Sequence, residues 1–138
     1  MGVHHAELEI RTHGSGTLEI TAEIQRELGR SKLRSGVATV FCPHTSCSLV
    51  AMENASPEAR SDLEAWLDKL VPPDRRFAHN LEGPDDMPSH IKMALTRTSE
   101  AIPFDGGRLL LGVWQGIYLW EHRAAPHTRR LHLTLIGE

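Results

Sequence analysis

RLLLGVWQGIYLWEH, residues 108–122, followed by RRLHLTLIG, residues 129–137, decides the fold. Both stretches read as strands. In the first, alternation places Val113, Gln115, Ile117, Leu119 and Glu121 on one face, and Trp114, Gly116, Tyr118, Trp120 and His122 on the other. A run this long bends or breaks near Gly112 or Gly116, because glycine weakens a strand interior. A glutamine and a glutamate on an otherwise apolar face are costly unless partnered. That face therefore borders a polar pocket or reaches solvent at its ends.

Working outward, EAIPF (100–104) is a further strand. HAELEIRTH (5–13) alternates Ala6, Leu8 and Ile10 with Glu7, Glu9 and Arg11, a half-buried strand. The turn GSG follows, and TLEI leads into a helix over TAEIQRELGR. Ile24 and Leu28 share one face of that helix, and Gly29 is placed to end it. GVATVFC (36–42) and CSLVAMEN (47–54) are rich in strand formers. The clearest helix begins at Ser56-Pro57, an N-cap followed by proline at the first helical position. Its stripe is Leu63, Trp66, Leu67 and Leu70, and Val71-Pro72-Pro73 stops it. A short helix opens at Pro88-Ser89, with Ile91 and Leu95 on one face and Asp85 and Asp86 at its N-terminus, where acids suit the helix dipole. The expectation is one α+β domain over residues 1–138. It has a large mixed, mostly antiparallel β-sheet and two to three helices packed on one side.

The chain has 138 residues and a formal net charge of -3, with no long basic block. General affinity for nucleic acid through phosphate neutralisation is not expected. No apolar run approaches the roughly 20 residues of a membrane span, and the N-terminus lacks the apolar core of a signal peptide. A cytoplasmic protein without membrane association is the expectation. Cys42 and Cys47 do not match the C-x-x-C spacing of zinc ribbons or redox motifs. They read as small, reduced, half-buried side chains.

Four segments hold most of the unusual polar residues. In PHTSCSLVAMEN, His44, Thr45, Ser46 and Ser48 form a hydroxyl-rich turn able to cradle a phosphate or simply to hold itself. Glu53 and Asn54 end the strand that follows. HNLEGPDDMPSHIK (79–92) sets His79 and His90 beside Glu82, Asp85 and Asp86. Imidazoles and carboxylates bind zinc and related ions, yet the spacing alone reads as an acidic helix cap beside two surface histidines. GVWQGIYLWEHR (112–123) contributes Gln115 and Glu121. Arg129 and Arg130, with Arg123, suit a phosphate or carboxylate.

Together, H-T-S-C-S-L at 44–49, E-N at 53–54, P-E-A-R-S-D-L-E at 57–64, E-G-P-D-D-M-P-S-H-I-K at 82–92, G-V-W-Q-G-I-Y-L-W-E-H-R at 112–123 and R-R-L-H-L-T-L-I-G-E at 129–138 resemble the YjbQ family almost end to end. The chain departs from the family pattern at Ser56, where an aspartate is usual, at Val113, where a threonine is usual, and in the polarity of Met52. The resemblance implies an α+β fold and a homotrimer with pockets near subunit boundaries. It also implies a secondary thiamine-phosphate synthase activity on small phosphorylated metabolites, and a divalent metal, zinc or magnesium, held by His44, His79 and His90. Glu53, Asp86 and Glu121 then orient the histidines or act as a base. Thr45, Ser46, Ser48, Asn54, Gln115, Arg123 and Arg129 face the substrate, and Trp114 or Trp120 stacks on its ring. The same parts also suit a metal-dependent hydrolase of a phosphate ester or amide. A trimeric module that binds a small anion without turning it over is the third reading.

Overall fold

The computed structural model describes residues 1–138. In chain order the elements are β1 (Gly2–Arg11), β2 (Gly16–Glu19), α1 (Thr21–Ser31), β3 (Gly36–Phe41), β4 (Cys47–Glu53), α2 (Pro57–Leu70), α3 (Asp86–Leu95), β5 (Ser99–Asp105), β6 (Arg108–Leu109), β7 (Gln115–Glu121) and β8 (Thr128–Gly137). The fold is α+β, and its strands form two sheets. One has five strands in the order β1-β8-β3-β5-β6, the other three in the order β2-β7-β4. Every pairing between strands is antiparallel, so the mixed character expected of the sheet is absent.

The period-2 pattern fixes which faces meet. In β8, Leu131, Leu133 and Leu135 all point inward and are fully buried. They stand opposite Leu8 and Ala6 of β1 and Val40 and Ala38 of β3. Ile117, Leu119 and Leu49 of the smaller sheet close the same core, with Ile24 and Leu28 of α1. The other face of the smaller sheet is covered by α2 and α3, where Trp120 and Val50 meet Leu67, Val71 and Ile91. Both faces of β7 are thereby buried from Gly116 onward. The long run read from the sequence breaks around Gly112, between β6 and β7, as its glycines suggest. Gln115 closes that turn, since its Oε1 accepts from the Gly112 amide at 3.1 Å.

Three local expectations are corrected. α1 passes through Gly29 and ends at Lys32, which takes a left-handed φ of 65°. In α2, Ser56 Oγ accepts from the Ala59 amide at 3.3 Å, as a cap should. Its stripe, however, is rotated: Leu67 is buried while Trp66 and Leu70 are 61% and 55% exposed. α3 begins two residues before Pro88, and the Asp85 side chain does not cap it. No helix is long and apolar enough to cross a membrane.

Candidate metal centre

The loop before α3 and the first turns of that helix bring three ligand-type side chains together. Asp86 and His90 are four residues apart on α3, hence on one face, and His79 reaches them from the loop. Asp86 Oδ2 lies 2.8 Å from His79 Nε2 and 3.3 Å from His90 Nε2. The three ligand atoms all lie within 4.8 Å of one another. Asp86 is 2% exposed, whereas the His79 side chain is 58% exposed.

Surrounding groups hold this geometry. His90 Nδ1 lies 2.6 Å from the carbonyl oxygen of Thr45. A carbonyl only accepts, so Nδ1 carries the proton and Nε2 is turned toward Asp86. Arg123 Nη1 donates to Asp86 Oδ1 at 3.0 Å, and its Nε donates to Asp85 Oδ2 at 3.1 Å. Its Nη2 reaches the Glu82 carbonyl at 3.0 Å. Asp85 therefore holds Arg123 and the Ala124 amide (2.8 Å) instead of capping the helix. Burial works against its charge, but the Ala124 amide and the Arg123 guanidinium outweigh this and keep its carboxyl below the usual carboxylate range. Beside the cluster is an open depression of about 420 Å³, lined by Thr45, His79, Met87, His90 and Met93.

The donor set fits a divalent ion: two imidazole nitrogens and one carboxylate, with one side open to solvent. Ligands at about 2.1 Å from a tetrahedral ion sit about 3.4 Å apart. The spacings here, 2.8 Å, 3.3 Å and at most 4.8 Å, bracket that value.

His44 does not join them. Its Nε2 meets the backbone of Arg130, 3.0 Å from the amide and 3.1 Å from the carbonyl. Burial, then the charge of Arg129, lowers its basicity. Asp86, expected as an orienting acid or base, stands in the place assigned to His44.

Glu121 is also placed differently from its expected role as base. It is fully buried and ion-paired with Arg129. Thr12 Oγ1 donates to it at 2.7 Å, and the amides of His122 and Arg123 donate at 3.1 and 3.2 Å. Desolvation opposes its charge, but Arg129 and then Thr12 keep its carboxyl low. Enclosed in this way, it can touch no substrate. Arg129 also binds Ser46 Oγ at 2.9 Å, and Ser48 is buried against His122 Nε2 at 2.8 Å. Neither serine faces a ligand; of that turn only Thr45 lines the depression.

Glu53, Asn54 and Gln115 lie at the far end of the smaller sheet. Glu53 pairs with Gln115, while Cys47 pairs with Glu121, which is about 20 Å away along strands rising 3.3 Å per residue. There Glu53 accepts from the Ser56 amide at 3.2 Å, and Asn54 donates to the Gln115 carbonyl at 3.3 Å. One chain does not bring these residues to the histidines. The sequence reading missed Thr12, which had only a place in a strand, and the Thr45 carbonyl, which has no side-chain signature.

A family model described as "UPF0047 protein YjbQ-like" matches residues 6–138. The chain belongs to the YjbQ/UPF0047 family. It is 47% identical to UPF0047 protein sll1880 of Synechocystis over 98% of this chain and 92% of that protein. It is 41% identical to YjbQ of Escherichia coli O157:H7 over 86% and 87% of the two chains. Among solved structures, an uncharacterized conserved protein of the family from Clostridium acetobutylicum superposes with a TM-score of 0.87 at 33% identity, covering 95% of this chain and 99% of the other. A conserved hypothetical protein from Thermus thermophilus gives 0.84 at 32% identity over 95% and 99%.

Proposed function

We propose that this family member is a metal-dependent enzyme with its centre at His79, Asp86 and His90. It would hold zinc or magnesium and have secondary thiamine-phosphate synthase activity on small phosphorylated substrates. One observation carries the reading: two imidazole Nε2 atoms converge on one oxygen of a carboxylate whose other oxygen is bound by Arg123.

In that reaction the methylene–oxygen bond of hydroxymethylpyrimidine diphosphate breaks, diphosphate leaves, and the thiazole nitrogen bonds to the methylene carbon. A divalent ion supplies Lewis-acid stabilisation of the departing diphosphate. The chain's own residues set the frame. Thr45 fixes the tautomer of His90, and Arg123 keeps Asp86 from turning away. Met87 and Met93 offer an apolar, adaptable shelf for a flat ring. Arg123 and Arg129 are both engaged with carboxylates. Neither guanidinium is therefore free to neutralise the diphosphate, a role that an ion held by His79, Asp86 and His90 would take.

The same reading takes the chain as a homotrimer. Leu110, Val113 and Trp114 are 56%, 82% and 65% exposed in one loop, an apolar surface that association would cover. Light scattering at micromolar concentration tests this, and a monomeric mass contradicts it.

The activity test uses untagged protein with hydroxymethylpyrimidine diphosphate and thiazole phosphate. Thiamine phosphate should form with added metal, stop with a chelator, and be lost in His90→Ala. No product from metal-loaded wild type, or undiminished product from His90→Ala, overturns the proposal.

A further inference from the structure

The loop that supplies the Thr45 carbonyl is bracketed by the chain's two cysteines. Cys42 directly follows β3 and Cys47 begins β4; both thiols are free, and they are 1% and 0% exposed. Their Sγ atoms are 3.4 Å apart. Of the four residues between them, Pro43 and Thr45 lie at the surface. Each anchor of the pair is firm. The Cys42 amide donates to the Thr98 carbonyl at 2.8 Å, and Cys47 is in register with Glu121. The loop makes three contacts with the centre and its surroundings: Thr45 O with His90 Nδ1, Ser46 Oγ with Arg129, and His44 Nε2 with the Arg130 backbone.

We propose that Cys42 and Cys47 are an oxidation site, closing to a reversible disulfide that shifts the 43–46 loop and so changes the orientation of His90. This rests on His79, Asp86 and His90 being the functional centre. Joined sulfurs sit about 2.05 Å apart, so they must approach by about 1.4 Å. Closure also removes the contact from Cys42 Sγ to the Cys47 carbonyl (3.5 Å). With both flanking strands held by the core, the intervening loop takes up the change.

The oxidant is a hydroperoxide, since thiols this buried exclude bulky disulfides. The Cys42 thiolate attacks one peroxide oxygen, the O–O bond breaks, and with hydrogen peroxide water leaves, giving a sulfenic acid at Cys42. Cys47 sulfur then attacks the Cys42 sulfur, the S–O bond breaks, and a second water departs with the Cys47 proton. Two thiols are thus oxidised while one peroxide is reduced to two waters; an external dithiol reverses the change. The pair is asymmetric in the required sense. The bond from Cys47 outweighs burial in lowering the Cys42 thiol below its usual value, whereas the same contact and burial raise Cys47.

The test treats metal-free, fully reduced protein with hydrogen peroxide and maps it by mass spectrometry, while ring-nitrogen NMR follows His90. The expected result is a Cys42–Cys47 linkage, a displaced His90 ring resonance, and recovery of both signals with dithiothreitol. Cys47→Ser should stop at a sulfenic acid on Cys42, trapped by dimedone. Folded protein whose cysteines remain thiols, or pass to sulfinic acid without linking, overturns the proposal. So does a linkage that leaves the His90 resonance unmoved. The wild-type mapping needs no variant, so misfolding of Cys47→Ser leaves the test intact. Because no metal is present, failure of the metal reading shows separately, as absence of binding in a metal titration of the reduced protein.

Discussion

Glu121 and Asp86 are both acids withdrawn from water, at 0% and 2% exposure, and each is bound by one arginine. They differ in what fills the remaining lone pairs. Around Glu121 the hydrogen-bond donors are Arg129, Thr12 and two backbone amides, none of which changes charge near neutral pH; the imidazole of His127 stays 3.9 Å away with its Nδ1 on the Ala125 carbonyl. Around Asp86 the remaining neighbours are the more than half exposed His79 ring, bonded at 2.8 Å, and His90 Nε2 at 3.3 Å. The first arrangement is saturated and sealed, and suits a structural tie. The second can exchange an imidazole proton for a metal ion, and suits a site. Burial of a charged group is thus a poor guide to function until its partners are named.

The contrast breaks most visibly at the sealed acid. Glu121→Ala leaves Arg129 buried without its counter-charge, and we expect a loss of about 3–5 kcal/mol in denaturant unfolding. Asp86→Asn is the complementary change. It should weaken metal binding by about 100-fold, given that even indirect partners of metal ligands contribute about 10–100-fold; calorimetric titration with zinc checks this. If Glu121→Ala weakens metal binding as much as Asp86→Asn in protein that remains folded, the distinction fails.

A third prediction sharpens the sealed side through pH. His122 is 4% exposed, and burial, followed by the charge of Lys92, pushes it down from 6.5 to about 3. Between those values the unfolded chain binds a proton that the folded chain refuses. Stability is then complete above the unfolded value and falls as pH drops below it, by up to about 1.4 kcal/mol per pH unit. Denaturation midpoints from pH 7 to 5 measure this, and His122→Asn should flatten the profile. The smallest effect belongs to Arg123→Lys, which keeps the charge but loses the fork linking Asp85 and Asp86. Metal affinity should fall about tenfold, with unfolding changed less than in Glu121→Ala.

Much of the fold was legible because local chemistry and tertiary structure agree. Ser56-Pro57 places the start of α2, and alternation in 115–121 correctly separates Ile117 and Leu119 from Tyr118 and Trp120. The exposed Trp66 and Leu70 show the limit. Periodicity gives the spacing of an apolar stripe, but the sheet beneath decides which flank it meets. The division into two sheets was hidden for the same reason, since it depends on pairing between distant strands. At the candidate centre, the histidines of the 79–92 loop came from family resemblance, after spacing alone favoured a helix cap. The place of Asp86 beside them depends on Arg123, which follows β7, and that of His44 apart on the Arg130 backbone in β8.

That same β8 has a consequence for how the chain is made. It lies inside the larger sheet, paired with β1 over ten registered positions on one side and with β3 on the other. It is also the last of the eight strands to be synthesised. Until it emerges, β1 has no partner strand and β3 has only β5 on its other side. Pairings between the two ends of a sequence carry high contact order and slow folding, and waiting strands are open to association. The larger sheet should therefore form only once β8 has been made, while the antiparallel β4–β7 pair and its helices can assemble before it.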